Sequence, residues 1–228
     1  MLITMGRQLA QDWPNLKKYQ NENTTLQKAT SCEERIVFMG DSITEFWSIS
    51  DPHFFSKNLY INRGISGQTT PQMLVRFRAD VIALQPAIVH ILAGINDIAG
   101  NTGPATLDMI SNNIFSMAEL AKANQIKVIL CSVLPAYDFP WNPNQNPAEK
   151  VLALNKMLKN YADANGILYL DYFSAMKEER NGLKTAYSED GVHPNKIGYQ
   201  IMARLLEKAI MEVLPNKSSA IQKPKGSI

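Results

Sequence analysis

The stretch "RIVFMGDSITEFW", Arg35 to Trp47, decides how the chain is read. Four apolar residues, Ile36 to Met39, run straight into Gly40-Asp41-Ser42. A buried strand is cut short by a loop signal, and a small hydroxyl residue stands at the break. Two readings of Ser42 follow. Ser and Asp both cap helices well. A serine at the carboxyl end of a strand also sits where open α/β sheets bind their ligands. The rest of the chain must decide between them.

Further strand-like runs recur after the first, at Arg35–Met39. They are Leu59–Asn62, "AIVHILAG" at Ala87–Gly94, "IKVILCSVL" at Ile126–Leu134 and "ILYLD" at Ile167–Asp171. They are almost continuously apolar and rich in Ile, Val and Leu, the pattern of strands covered on both faces. Amphipathic stretches lie between them, predicting helices over Thr70–Leu84, Ala105–Asn124, Pro147–Asn165 and Asn195–Leu214. Strands alternating with helices of this length predict an α/β domain, a three-layer sandwich around a five-stranded parallel sheet. Residues 31–215 form that domain. Residues 1–30 are a polar lead-in, with one outer helix expected over Asp12–Thr30. The polar residues 216–228 read as a disordered tail.

Bulk properties narrow the function. The 228 residues carry a net charge of +2 with no dominant basic block, so nucleic acid is not an expected partner. No apolar run approaches the roughly 20 residues of a membrane span. Cys32 and Cys131 lack CxxC spacing, and His53, His90 and His193 show no metal-ligand spacing. No metal site is expected from them, and the chemistry read below calls for no metal or organic cofactor. At the N-terminus, "LIT" with a small residue at Ala10 reads as the stump of a signal peptide cleaved before Gln11, which would make the protein periplasmic or secreted. The competing reading is a plain cytoplasmic N-terminus. Oligomeric state is not legible.

In a parallel sheet the loops after all the strands emerge on one side, so each can be searched for chemistry facing one crevice. His193 offers Ser42 an imidazole, the side chain suited to proton transfer near neutrality. Asp190, three residues earlier in "DGVHP", can orient that ring as in a Ser-His-Asp triad. A turn followed by a helix cap explains the same loop. His90 lies within an apolar strand and reads as a core histidine; His53 reads as loop structure. An acyl-transfer site also needs donors for an oxyanion. Ser42 at a helix start has a free N–H, Gly67 in "ISGQTT" lets backbone approach closely, and Asn96 in "GINDI" brings an amide. Taken singly, Gly67 is a turn glycine and Asn96 a loop cap; together they follow successive strands of one sheet.

These blocks resemble the SGNH hydrolase superfamily, also called the GDSL esterase/lipase family. The resemblance rests on "GDSI" with Ser42, "GISGQT" with Gly67, "GINDI" with Asn96 and "DGVHP" with Asp190 and His193, in the family's order. Ile43 stands where the eponymous motif has Leu. The resemblance implies a flavodoxin-like fold, with Ser42 as nucleophile, His193 as base and Asp190 as its partner. It also implies an oxyanion hole made by the Ser42 and Gly67 N–H groups and the Asn96 side chain. "NRGISGQTT" and "DGVHPNKIGY" resemble platelet-activating-factor acetylhydrolase-like and carbohydrate acetylesterase members. The expected substrate is a small-molecule ester, an acetyl or other short acyl group on a carbohydrate or small alcohol. The alternatives are a lysophospholipase or acyl-thioesterase on longer chains, and a non-catalytic ligand-binding module. Trp47, Phe139 and Trp141 are aromatics predicted on the active side, Trp47 and Trp141 as substrate contacts; anchoring of the Pro-rich loop is the competing role for the latter pair.

Overall fold

The computed structural model describes residues 12–27 and 35–214. The readings made on residues 1–11, Cys32 and the tail from residue 215 lie outside them. In chain order the elements are α1 (Gln20–Gln27), β1 (Ile36–Gly40), α2 (Ser42–Ser50), α3 (Pro52–Ser56) and β2 (Tyr60–Gly64). Next come α4 (Thr70–Asp80), β3 (Ile88–Leu92), α5 (Ile95–Ile98), α6 (Leu107–Ala123) and β4 (Lys127–Cys131). The chain continues with α7 (Pro147–Asn165), β5 (Leu168–Leu170), α8 (Tyr172–Met176) and α9 (Lys196–Val213).

All strand pairs are parallel and the order is β2-β1-β3-β4-β5. This is the flavodoxin-like order, with a switch point between β1 and β3. Helices α1, α4, α6 and α7 pack side by side over one face, and α2 and α9 over the other. The double cover explains why β1 and β3 are buried at every position and why the runs read as uniformly apolar.

The strands are shorter than the apolar runs that predicted them. The Ser132 N–H still bonds to the Leu170 carbonyl of β5. At Val133 the backbone leaves the ladder yet stays buried, because the Asn155 side chain replaces a strand. Its Oδ1 accepts from the Val133 N–H at 2.8 Å and its Nδ2 donates to the Val133 carbonyl at 3.0 Å. The helix expected over Thr70–Leu84 stops at Asp80, and a 3-10 turn, Ile82–Leu84, finishes the segment. His53 lies in the short helix α3 rather than in a loop, with Asp51 capping through the Phe54 N–H.

Aromatic packing under α2 corrects one expectation. Trp47 is fully buried, stacked between Phe54 and Tyr199 and edge-on to Phe38. It cannot touch a substrate. Helix geometry supplies the reason: Trp47, five residues beyond Ser42, points about 140° away from it around the helix, into the core. Phe46, four residues on, lies only about 40° from Ser42 and is partly exposed. His90 is a core histidine as expected: fully buried, with Nε2 3.0 Å from the Tyr172 hydroxyl and its pKa pushed down to about 3 by burial.

Candidate active site

The turn from β1 into α2 is made in very little space. A Cβ on Gly40 would lie 2.0 Å from Thr44 Oγ1 and 2.8 Å from the Leu92 carbonyl oxygen, so only glycine fits there. Asp41 then caps α2, its carboxylate accepting from the Ile43 N–H at 2.9 Å. The cap is Asp41, which leaves Ser42 as the first helical residue with its hydroxyl uncommitted to capping. The Ser42 N–H has no partner among the described residues.

Ser42 Oγ lies 2.9 Å from His193 Nε2, and His193 Nδ1 lies 2.7 Å from Asp190 Oδ2. The second Asp190 oxygen accepts from the N–H groups of Val192 and His193 and from the Ser188 hydroxyl. Burial opposes ionisation of Asp190, but the hydrogen bonds from the His193 ring and from the His193 and Val192 N–H groups outweigh it. Together they hold the carboxyl below its ordinary range. An ionised carboxylate only accepts, so Nδ1 carries the proton and Nε2 is left to accept from Ser42. The helix cap in this loop is Asn195, whose side chain accepts from the Gly198 N–H; neither Asp190 nor His193 is spent on capping. Helix α9, which follows the loop, is tied to α2 by the buried Tyr199 hydroxyl, which donates to the Ile43 carbonyl at 2.8 Å.

The loop after β2 carries Gly67 at φ +77°, a conformation that favours glycine. Its N–H has no partner among the described residues. Asn96, at the start of α5, donates from Nδ2 to the Gln68 carbonyl at 3.0 Å. Its Oδ1 accepts from Asn101 Nδ2, also at 3.0 Å. An amide nitrogen carries two hydrogens, so one Asn96 N–H remains available. Asp97 anchors this region instead, its carboxylate accepting from the Thr70 N–H and hydroxyl. Burial lifts the Asp97 pKa to about 6 against those bonds. The structure thus brings Ser42, His193 and Asp190 into one hydrogen-bonded chain and seats the Asn96 amide on the Gly67-Gln68 loop.

Two aromatics flank the imidazole. The Phe46 ring is 5.4 Å and the Trp141 ring 6.1 Å from the His193 ring, and both residues are partly exposed. Phe139, predicted beside Trp141 on the active side, is instead fully buried and stacks beneath it at 5.2 Å. It anchors the loop.

The lead-in does more than pack outside. The Pro14 and Trp13 carbonyls accept from the side-chain amides of Gln68 and Gln72. Gln68 Oε1 accepts from Arg76 Nε at 2.6 Å, and Arg76 continues to Asp80 and to the Gly40 carbonyl. The Tyr19 hydroxyl reaches the Gly64 carbonyl at 2.5 Å, and Lys18 pairs with Glu45. Residues 12–27 therefore strap the Gly67-Gln68 loop from behind. Phe46, Asn101 and Gln68 were not singled out from the sequence. Only Phe46 carried a readable signal, its spacing of four from Ser42.

Comparison with known proteins shows the family. The GDSL-like Lipase/Acylhydrolase family model matches residues 38–201, and the chain belongs to that family. An acetylxylan esterase of Geobacillus stearothermophilus is 30% identical over 162 residues, covering 66% of this chain and 71% of its own. Esterase TesA of Pseudomonas aeruginosa is 30% identical over 135 residues, 59% of this chain and 60% of its own. The crystal structure of a GDSL-like lipase from Bacteroides thetaiotaomicron is 50% identical, with a TM-score of 0.85, covering 88% of this chain and 99% of that one. Membership of this family makes the chain a carboxylic ester hydrolase by class. Among the described residues no helix is long and apolar enough to cross a membrane.

Proposed function

We propose that the protein is a serine ester hydrolase that removes acetyl or other short acyl groups from a carbohydrate or small alcohol. The observation that carries the reading is the chain Ser42 Oγ to His193 Nε2 at 2.9 Å and His193 Nδ1 to Asp190 Oδ2 at 2.7 Å. His193 Nε2 takes the Ser42 proton as Oγ attacks the ester carbonyl. The resulting oxyanion is met by the Ser42 and Gly67 N–H groups and the free N–H of Asn96. His193 then gives its proton to the departing alcohol, leaving an acyl-serine. Water repeats the sequence: it loses a proton to His193, attacks the acyl carbon, and Ser42 leaves protonated with release of the acid. Asp190 holds the imidazole in the required tautomer and balances its positive charge.

The acyl preference is supported by chemistry around the triad. The aromatics at His193 are two partly exposed side chains, Phe46 and Trp141, and the loop beyond Trp141 is Asn- and Pro-rich, "NPNQNP". Each added methylene of an acyl chain gains about 0.8 kcal/mol only when buried. The similarity to an acetylxylan esterase points the same way. A p-nitrophenyl ester series from acetate to octanoate tests it. Acetate should give the highest kcat/KM; a maximum at hexanoate or beyond would favour the lysophospholipase or thioesterase alternative.

A further inference from the structure

We propose that the cleft between the loop after β4 and the segment before the His193 loop is a subsite for a neutral oligosaccharide. It would seat the alcohol part of the ester, and so rests on the proposed carbohydrate ester hydrolysis. Two cavities of about 580 and 280 Å³, the larger mainly polar and the smaller mixed polar and apolar, adjoin there and share Tyr137, Asp138 and Arg180. The smaller reaches Asp190 and Gly191, the acid end of the hydrogen-bonded chain. The segment that forms one wall also carries Trp141, the ring beside His193. Cleft and reactive groups are thus joined by one short stretch of chain, Tyr137 to Trp141.

The lining has the chemistry of a polyol site. Tyr137 is half exposed, and the Arg180 guanidinium lies 4.5 Å from its ring centre, holding the aromatic in place. Among the described residues, the Tyr137 hydroxyl, the Asn144 and Asn146 amides and the Glu149 carboxylate make no hydrogen bond within the protein. Asp138 spends one oxygen on the N–H groups of Phe139 and Asn144 and keeps the other free. Asn144 and Asn146 both take left-handed backbone, φ +68° and +50°, which Asn tolerates well. The result is a half-exposed aromatic ring surrounded by planar donors and acceptors, a few placed polar groups in a concave site.

Charge decides between polyols. Asp138, Glu149, Glu178 and Asp190 line the two cavities against one cation, Arg180. That cation is itself paired to Glu178 at 3.2 Å. A phosphate head group or a uronic acid would enter a field of its own sign with no free partner. A neutral sugar would not.

The test is direct binding, independent of ester turnover. Unsubstituted xylotetraose and a tetragalacturonate of the same length are titrated into the full-length protein and followed by calorimetry and backbone-amide NMR. Xylotetraose should bind saturably and shift the amides of Asp138, Arg180 and Gly191. Tyr137→Ala and Asn146→Ala, with thermal midpoints confirming that they fold, should each weaken it at least five- to tenfold. Tetragalacturonate should bind at least tenfold more weakly. No saturable binding up to millimolar ligand, shifts confined to other surfaces, affinity unchanged in both variants, or equal affinity for the two sugars would overturn the subsite. The same preparation is assayed with p-nitrophenyl acetate. Xylotetraose binding without ester hydrolysis would overturn the esterase reading and leave the sugar cleft standing.

Discussion

Asn101 Nδ2 donates to Asn96 Oδ1 at 3.0 Å and so dictates which end of the Asn96 amide faces the Gly67-Gln68 loop. Without that bond the amide can turn over and present oxygen where a donor is needed. Asn96→Ala is expected to lower kcat about 10²–10³-fold, the usual cost of one oxyanion donor. Asn101→Ala should lower kcat by a smaller factor, on the order of tenfold, with KM little changed. Steady-state kinetics on p-nitrophenyl acetate checks both. An Asn101→Ala enzyme with wild-type kcat would mean that the bond to the Gln68 carbonyl orients Asn96 unaided.

Asp190→Asn keeps the shape of the loop acceptor but removes the charge that faces His193 Nδ1. An amide can present its NH₂ to the ring and favour the wrong tautomer. The expected loss in kcat is on the order of 10³–10⁴. Because the carboxyl is held below its ordinary range, its contribution is present throughout the neutral range and fades only as the pH falls through that lowered value. Activity near wild type at pH 7.5 would show that another group orients the ring.

Asp41 supplies a stability test whose sign is fixed. Burial pushes its carboxyl up to about 7, Asp97 adding to the rise while the Ile43 N–H and His193 oppose it. The unfolded chain releases this proton near pH ~4. Between those values the folded protein holds a proton the unfolded chain has lost, so stability falls as pH rises. The side-chain amide introduced by Asp41→Asn does not titrate. The substitution should therefore raise the thermal midpoint relative to wild type more at pH 8 than at pH 5. Equal shifts at the two pH values would contradict a raised Asp41.

The strap formed by residues 12–27 is expected to matter through Gln68. Gln68→Ala leaves the buried Arg76 short of one acceptor and frees the Pro14 carbonyl. A loss of about 1–3 kcal/mol in urea denaturation is expected from the unpaired buried groups. An unchanged midpoint would mean that water replaces the amide at both ends.

The hydrophobic runs and the residues between them made much of this legible in advance. A parallel sheet forces β-strands covered on both sides to read as unbroken apolar stretches, and it also gathers the loops after them. Ser42, Gly67, Asn96 and the Asp190–His193 loop can therefore be grouped from the sequence alone. What could not be read were facts of rotation and side-chain pairing. Trp47 looks like a neighbour of Ser42 until the helix is wound, when it turns into the core and Phe46 takes its place. Phe139 and Trp141 are two residues apart in the chain, yet one is sealed beneath the other. Asn155 standing in for a strand at Val133, and Gln68 bridging Pro14 to Arg76, join positions remote in sequence through single amides. No local pattern encodes such bonds.

The central claim is that Ser42 is the nucleophile, and the most direct measurement is covalent labelling. The full-length protein is treated with a fluorophosphonate and digested, and the modified peptide is identified by mass spectrometry. One adduct is predicted, on Ser42, forming in step with loss of p-nitrophenyl acetate hydrolysis and absent from Ser42→Ala. Labelling at another residue with Ser42 untouched, or ordinary turnover by folded Ser42→Ala protein, would contradict the account.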